Sequence, residues 1–115
     1  MKIAVVDDEE GILLSMKLFL EIEGHQPVVF SSPKKAWETL SKEKVDLIIL
    51  DIRMPEMTGE ELAIKFKETE LTKKTPIILF SAHDTLPEIA LRVDAYGILE
   101  KPFHFDKLLH LLNNL

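Results

Sequence analysis

Five polar residues in this chain stand directly after apolar runs. Asp7 and Asp8 follow Lys2–Val6, Asp51 follows Val45–Leu50, Ser81 follows Pro76–Phe80, and Lys101 follows Gly97–Glu100. Singly, each has an ordinary explanation, since acids after strands serve as helix N-caps, as Asp8 or Asp84 would. Together they define a chemistry. Three carboxylates a few ångströms apart repel by about 4 kcal/mol per close pair at an effective dielectric of roughly 20. Unless that is offset, a pKa rises or the fold weakens. A hard divalent cation offsets it, and magnesium takes oxygen ligands, keeps several waters and often needs only one or two carboxylates. Asp51 is then the candidate nucleophile toward phosphorus, because an aspartyl phosphate is an accessible intermediate whose formation needs little beyond alignment and charge neutralisation. Lys101 would meet the phosphoryl oxygens as a mobile point charge, and Ser81 would donate a hydrogen bond to another oxygen.

That chemistry requires elements that bring the five together. Lys2–Val6 is a β-branched strand. Gly11–Glu23 carries Ile12, Met16, Phe19 and Leu20 at helical spacing, and Gly24 is placed to end that helix in the left-handed conformation. Pro27–Phe30 reads as a second strand. Ser32-Pro33 reads as an N-cap and first helical position, opening a helix to about Lys42. Val45–Leu50 is apolar on both sides of the pleat, as a central parallel strand is. A third helix follows Thr58-Gly59 and ends near Thr69, with Leu62, Phe66 and Ile64 inward. Pro76–Phe80 is the fourth strand, Thr85–Val93 the fourth helix and Gly97–Glu100 the fifth strand. The last helix, His104–Leu115, turns Phe105, Leu108, Leu109, Leu112 and Leu115 inward. Five strands alternating with five helices predict an α/β domain with a parallel sheet. Right-handed crossovers favour the open, doubly wound, flavodoxin-like order 2-1-3-4-5. In such a sheet ligands bind outside the carboxyl ends of the strands, where strand order reverses between the first and third. All five polar residues lie on that edge.

Composition narrows the function classes. At 115 residues, 46% hydrophobic and 30% charged, the chain suits one ordered domain. A formal charge of −6 argues against general nucleic-acid binding. No apolar run is long enough to span a bilayer, and acidic residues begin too early for a signal peptide. The absence of cysteine excludes disulfides and thiolate metal sites and fits a cytoplasmic location.

Four motifs now carry a resemblance: V-D-D-E-E at Val6–Glu10, L-D-I-R-M-P-E-M-T-G at Leu50–Gly59, F-S-A at Phe80–Ala82 and E-K-P-F at Glu100–Phe103. In this order and spacing they resemble the receiver domain of two-component response regulators, over the whole of 1–115. The resemblance implies that Asp51 accepts phosphate from a phosphohistidine on a sensor kinase or histidine phosphotransfer protein. It implies Mg2+ held by Asp8, Asp51 and the Arg53 backbone carbonyl, with Asp7 acting through water. Ser81 becomes the switch hydroxyl, Lys101 the phosphoryl contact, Lys101-Pro102 a cis peptide, and a downstream protein the target. Arg53 and His83, two residues after Asp51 and Ser81, fall at positions that tune hydrolysis of the acyl phosphate.

Two positions depart from the family pattern. Ile98 stands three before Lys101, where Tyr or Phe is frequent, and Tyr96 lies about 7 Å away along the strand. Asp94 replaces the usual glycine before the fifth strand. The first helix also carries a second stripe, Leu14, Leu18 and Ile22, with Gly11 and Ser15 beside it. One account packs this stripe against the last helix; the other makes Gly11, Leu14, Ser15 and Leu18 a docking face for a helical hairpin of the kinase. The chain reads as a stand-alone receiver without an output domain, or alternatively as the receiver part of a longer regulator. A Mg2+-dependent aspartyl phosphohydrolase is the remote alternative: a second acid two residues after the nucleophile would be needed, and Arg53 stands there.

Overall fold

The computed structural model describes residues 1–82, 86–102 and 104–115. The expected helix start at Thr85, the cap Asp84 and the tuning residue His83 lie outside the described residues. In chain order the elements are β1 (Lys2–Val6), α1 (Glu10–Ile22), β2 (Gln26–Phe30), α2 (Pro33–Leu40), β3 (Leu47–Asp51), α3 (Gly59–Lys67), β4 (Ile77–Ser81), α4 (Leu86–Arg92), β5 (Gly97–Glu100) and α5 (Phe105–Asn113). The strands form one parallel sheet in the expected order β2-β1-β3-β4-β5.

The sheet sorts its side chains by strand parity. Ala4, Val6, Ile48, Leu50, Ile77 and Leu79 face one way and pack on α2, α3 and α4 through Ala36, Leu40, Leu62, Phe66, Leu86 and Ile89. Ile3, Val5, Leu47, Ile49, Ile78 and Phe80 face the other way and pack on α1 and α5 through Leu13, Met16, Leu20, Leu108 and Leu112. Every residue of β3 and β4 is buried, which explains the apolar runs Leu47–Leu50 and Ile77–Phe80 that lead to Asp51 and Ser81. Each fully buried aliphatic or aromatic side chain contributes about 1.5–3 kcal/mol.

Local chemistry sets the helix ends. Gly24 takes φ 86°; its N–H donates to the Glu21 carbonyl and that of His25 to Leu20, closing a Schellman motif. α4 ends with the same motif, Asp94 N–H to Leu91 and Ala95 N–H to Ala90. The left-handed position there is Asp94, at φ 53°. Aspartate tolerates this conformation better than most residues, which accounts for its standing where the family pattern has glycine. Ser32 accepts from the Lys35 N–H, and Thr58 with Glu61 forms a capping box.

Several expectations are corrected. The core face of α1 is Leu13, Met16 and Leu20, with Ile12 and Phe19 only partly covered. Leu14, Leu18 and Ile22 are 59%, 52% and 81% exposed, so this stripe does not pack on α5. The Phe19 and Phe105 rings, stacked at 4.4 Å, make the α1–α5 contact instead. Ile64 and Leu115 point outward; Ile64 follows the buried pair Leu62 and Ala63 and turns off the face that Phe66 completes. Asp51 and Ser81 belong to their strands rather than following them.

Candidate functional site

β1 and β3 are neighbours, and the chain leaves them toward opposite edges of the sheet, so a crevice opens at their carboxyl ends. Asp7 leaves β1 with its N–H on the Phe30 carbonyl of β2. Asp51 is the last residue of β3. Both are buried, whereas Asp8 is exposed. One carboxylate oxygen from each of Asp7, Asp8 and Asp51 lies within 4.8 Å of the others.

Lys101 enters from β5. Its Nζ donates to Asp7 Oδ2 at 3.1 Å and stands 3.6 Å from Asp51 Oδ1 and 3.5 Å from Glu9 Oε1. It also lies 4.8 Å from the centroid of the Phe80 ring, an arrangement that favours a cation. The backbone fixes its origin: the Lys101 N–H donates to the Ser81 carbonyl, and Lys101-Pro102 is cis. The ends of β4 and β5 are thus joined at the two residues assigned to the phosphoryl group. Ser81 is buried.

The electrostatics show a charge imbalance. Burial and then the Asp7 charge push Asp51 up to about 7, against the opposing pull of Lys101 and a 2.9 Å hydrogen bond from the Ile52 N–H. Burial also raises Asp7, opposed by the Glu9 N–H and Lys101. Burial disfavours the Lys101 charge, but Asp51, Asp7 and Glu9 outweigh it and the amine is held above its ordinary range. Among the described residues, Lys101 is the only cation in contact with Asp7, Asp51 and Glu9. An all-oxygen donor set short of positive charge fits a hard divalent ion such as Mg2+.

The β3–α3 loop is held close beneath Asp51. The Gly59 N–H donates to the Ile52 carbonyl at 2.8 Å, and a Cβ on Gly59 would collide with the Asp51 carbonyl oxygen. Met57 donates to Pro55 across Glu56, at φ 72°, a tight γ-turn. Arg53 leaves this loop exposed.

Two hollows flank the acids. One, of about 420 Å³, is lined by Ile12, Ser15, Met16, Ala82, Lys101 and Phe105 and links α1 to the lysine. The other is lined by Asp8, Arg53, Met54, Glu60, Ile89 and Arg92. Gly11 and Leu14 are exposed on α1. Tyr96 does not enter the site: its hydroxyl donates to the Leu111 carbonyl in the last turn of α5, at 2.8 Å. Ile98 is half-buried against the core beneath α4. Sequence reasoning missed Glu9, whose only signal was its place in the acidic run, and the Glu60–Arg92 pair, which had none.

The response regulator receiver domain family matches residues 3–113. The response regulator SaeR of Staphylococcus epidermidis is 36% identical over 115 residues, covering 96% of this chain and 48% of that protein. The transcriptional regulatory protein GlrR of Escherichia coli is 34% identical over 106 residues, covering 90% of this chain and 23% of GlrR. The chain therefore spans about half or less of these relatives. The chemotaxis protein CheY4 of Vibrio cholerae superposes with a TM-score of 0.91 at 29% identity, covering 98% of this chain and 96% of CheY4. The response regulator TrrA of Thermotoga maritima, in complex with Mg2+ and BeF, gives 0.88 at 30% identity, covering 98% and 96%.

Proposed function

The chain belongs to the response regulator receiver domain family of two-component systems, and from that premise we propose that Asp51 accepts its phosphoryl group. The observation that carries this reading is the buried Asp51 carboxylate at the switch point, with Lys101 Nζ 3.6 Å away and Asp7 and Asp8 alongside. An Asp51 oxygen attacks phosphorus as the bond to the phosphohistidine nitrogen breaks; that nitrogen keeps the electron pair and the imidazole leaves. Lys101, already between Asp7 and Asp51, neutralises charge on the transferred group. Ser81, one backbone hydrogen bond from Lys101, contacts another phosphoryl oxygen and carries the change into β4 and β5.

Asp8, Asp51 and the Arg53 carbonyl would hold Mg2+, with Asp7 acting through water. When bound, the ion supplies charge neutralisation and aligns the phosphoryl oxygens. The family resemblance and the TrrA complex with Mg2+ and BeF support this assignment. Incubating the protein with acetyl phosphate and Mg2+, then measuring intact mass, should give one phosphoryl adduct on wild type and none on Asp51→Ala. Lack of an adduct on wild type would sink the reading.

The donor protein is a sensor kinase or histidine phosphotransfer protein that docks on Gly11, Leu14, Ser15 and Leu18. Exposure of Leu14 and Leu18 supports this face, as does the hollow leading from Ser15 to Lys101. Leu14→Glu should lose transfer from the cognate kinase while still reacting with acetyl phosphate; full retention of both reactions would reject the face. The phosphorylated form acts on a downstream protein and assists its own dephosphorylation. Arg53, exposed beside the acids, tunes that loss by restricting water. An unchanged phosphate half-life in Arg53→Ala would count against this role.

A further inference from the structure

α3 and α4 are tied together by a two-pronged ion pair. Arg92 Nε donates to Glu60 Oε2 at 2.8 Å, and Nη2 donates to Oε1 at 3.1 Å. Among the described residues it is the only hydrogen bond or ion pair between these helices. Glu60 lies in the first turn of α3, where the helix N-terminus favours a carboxylate. The pair lies at the surface, the Glu60 side chain 27% and that of Arg92 55% exposed. Arg92 is attracted further by Glu88, one turn earlier on α4.

The position of this pair matters more than its strength. Arg92 lines a groove together with Asp8, Arg53 and the apolar side chains of Met54, Pro55 and Ile89. It also lines a second hollow, with Ile64, Lys67, Val93 and Asp94. Its side chain therefore lies where both hollows run between α3 and α4, and the first of them also reaches Asp8 of the acid cluster. Those apolar side chains suit the organic part of a leaving group.

We propose that the Glu60–Arg92 clamp fixes the width of this groove and thereby selects small phosphoryl donors by the size of their leaving group. The inference rests on Asp51 being the acceptor. In each reaction the Asp51–phosphorus bond forms while the bond from phosphorus to the leaving group breaks. The electron pair departs with benzoate from benzoyl phosphate, or with ammonia from phosphoramidate. Both Glu60 and Arg92 are positioning residues, acting through the groove wall rather than on phosphorus.

The test compares adduct formation from benzoyl phosphate and phosphoramidate, with Mg2+, in wild type, Glu60→Gln, Arg92→Gln, Arg92→Lys and the exchange Glu60→Arg/Arg92→Glu. Each Gln variant should raise the benzoyl-to-phosphoramidate rate ratio by roughly two- to fivefold, the range over which an exposed ion pair shifts an equilibrium. Arg92→Lys should fall between, since it keeps the charge and loses the fork. The exchange should restore the wild-type ratio. Equal changes for both donors, or a lowered melting temperature with an unchanged ratio, would overturn the clamp and leave Asp51 as acceptor. Absence of any adduct on wild type would overturn both.

Discussion

The residue on which the site turns is Lys101. It sits among Asp7, Asp51 and Glu9 with its side chain only 16% exposed, so removing it leaves buried carboxylates without their counter-charge. Breaking a buried pair from one side costs more than the pair itself contributes, because the remaining charge is stranded. Lys101→Ala should therefore lose about 3 kcal/mol of stability at pH 8 without Mg2+, the lower end for a buried pair broken from one side. The loss should shrink at pH 5, where Asp51, pushed up to about 7, is protonated and no longer needs the amine. Lysine's own charge is present throughout this range, since its pKa is raised further. The pH dependence thus belongs to the acid. Urea unfolding at the two pH values would check it, and equal losses would contradict the account.

At the scale of elements, much was legible because alternation and capping are local. Gly24, Ser32-Pro33 and Thr58 mark helix ends that the structure reproduces, and β3 and β4 declare their central place by the apolar runs before Asp51 and Ser81. Four of the five strands, β1, β3, β4 and β5, bring their polar residues to one edge because parallel strands end on the same side. What sequence could not resolve was which of several adjacent apolar residues a helix turns inward. Leu13, not Ile12, is the buried member of its pair, and Ile64 loses its expected place to Ala63. These choices depend on how each helix lies on the sheet. The Glu60–Arg92 contact spans 32 residues and is likewise set only by packing. Gly59 joins the two kinds of information: the sequence shows the glycine, and the structure shows the Asp51 carbonyl against its Cα. Gly59→Ala must push α3 off β3, and should cost about 1–3 kcal/mol as an overpacked site. The same shift would displace Asp51, so phosphorylation by acetyl phosphate should slow even where the variant remains folded. A variant with wild-type stability and rate would show that the loop relaxes freely.

For the whole molecule, the acid cluster makes the fold weaker than its core alone would be. An isolated aspartate has its ordinary pKa near 3.8, and folding moves Asp51 to about 7. Between those values the folded chain binds more protons than the unfolded chain, so stability falls as pH rises from about 4 to about 7. Asp7 is shifted in the same direction. A divalent ion on these oxygens would bind only the folded, deprotonated cluster and would oppose the trend. At ten times its dissociation constant it adds about 1.4 kcal/mol. Chemical denaturation of the metal-free protein should therefore show greater stability at pH 5.5 than at pH 8, with Mg2+ stabilising more at pH 8. Asp51→Asn removes the shifted charge, so its metal-free profile should flatten and its response to Mg2+ diminish. If wild type and variant instead share one profile and one response, neither the buried charge nor the metal is acting through Asp51.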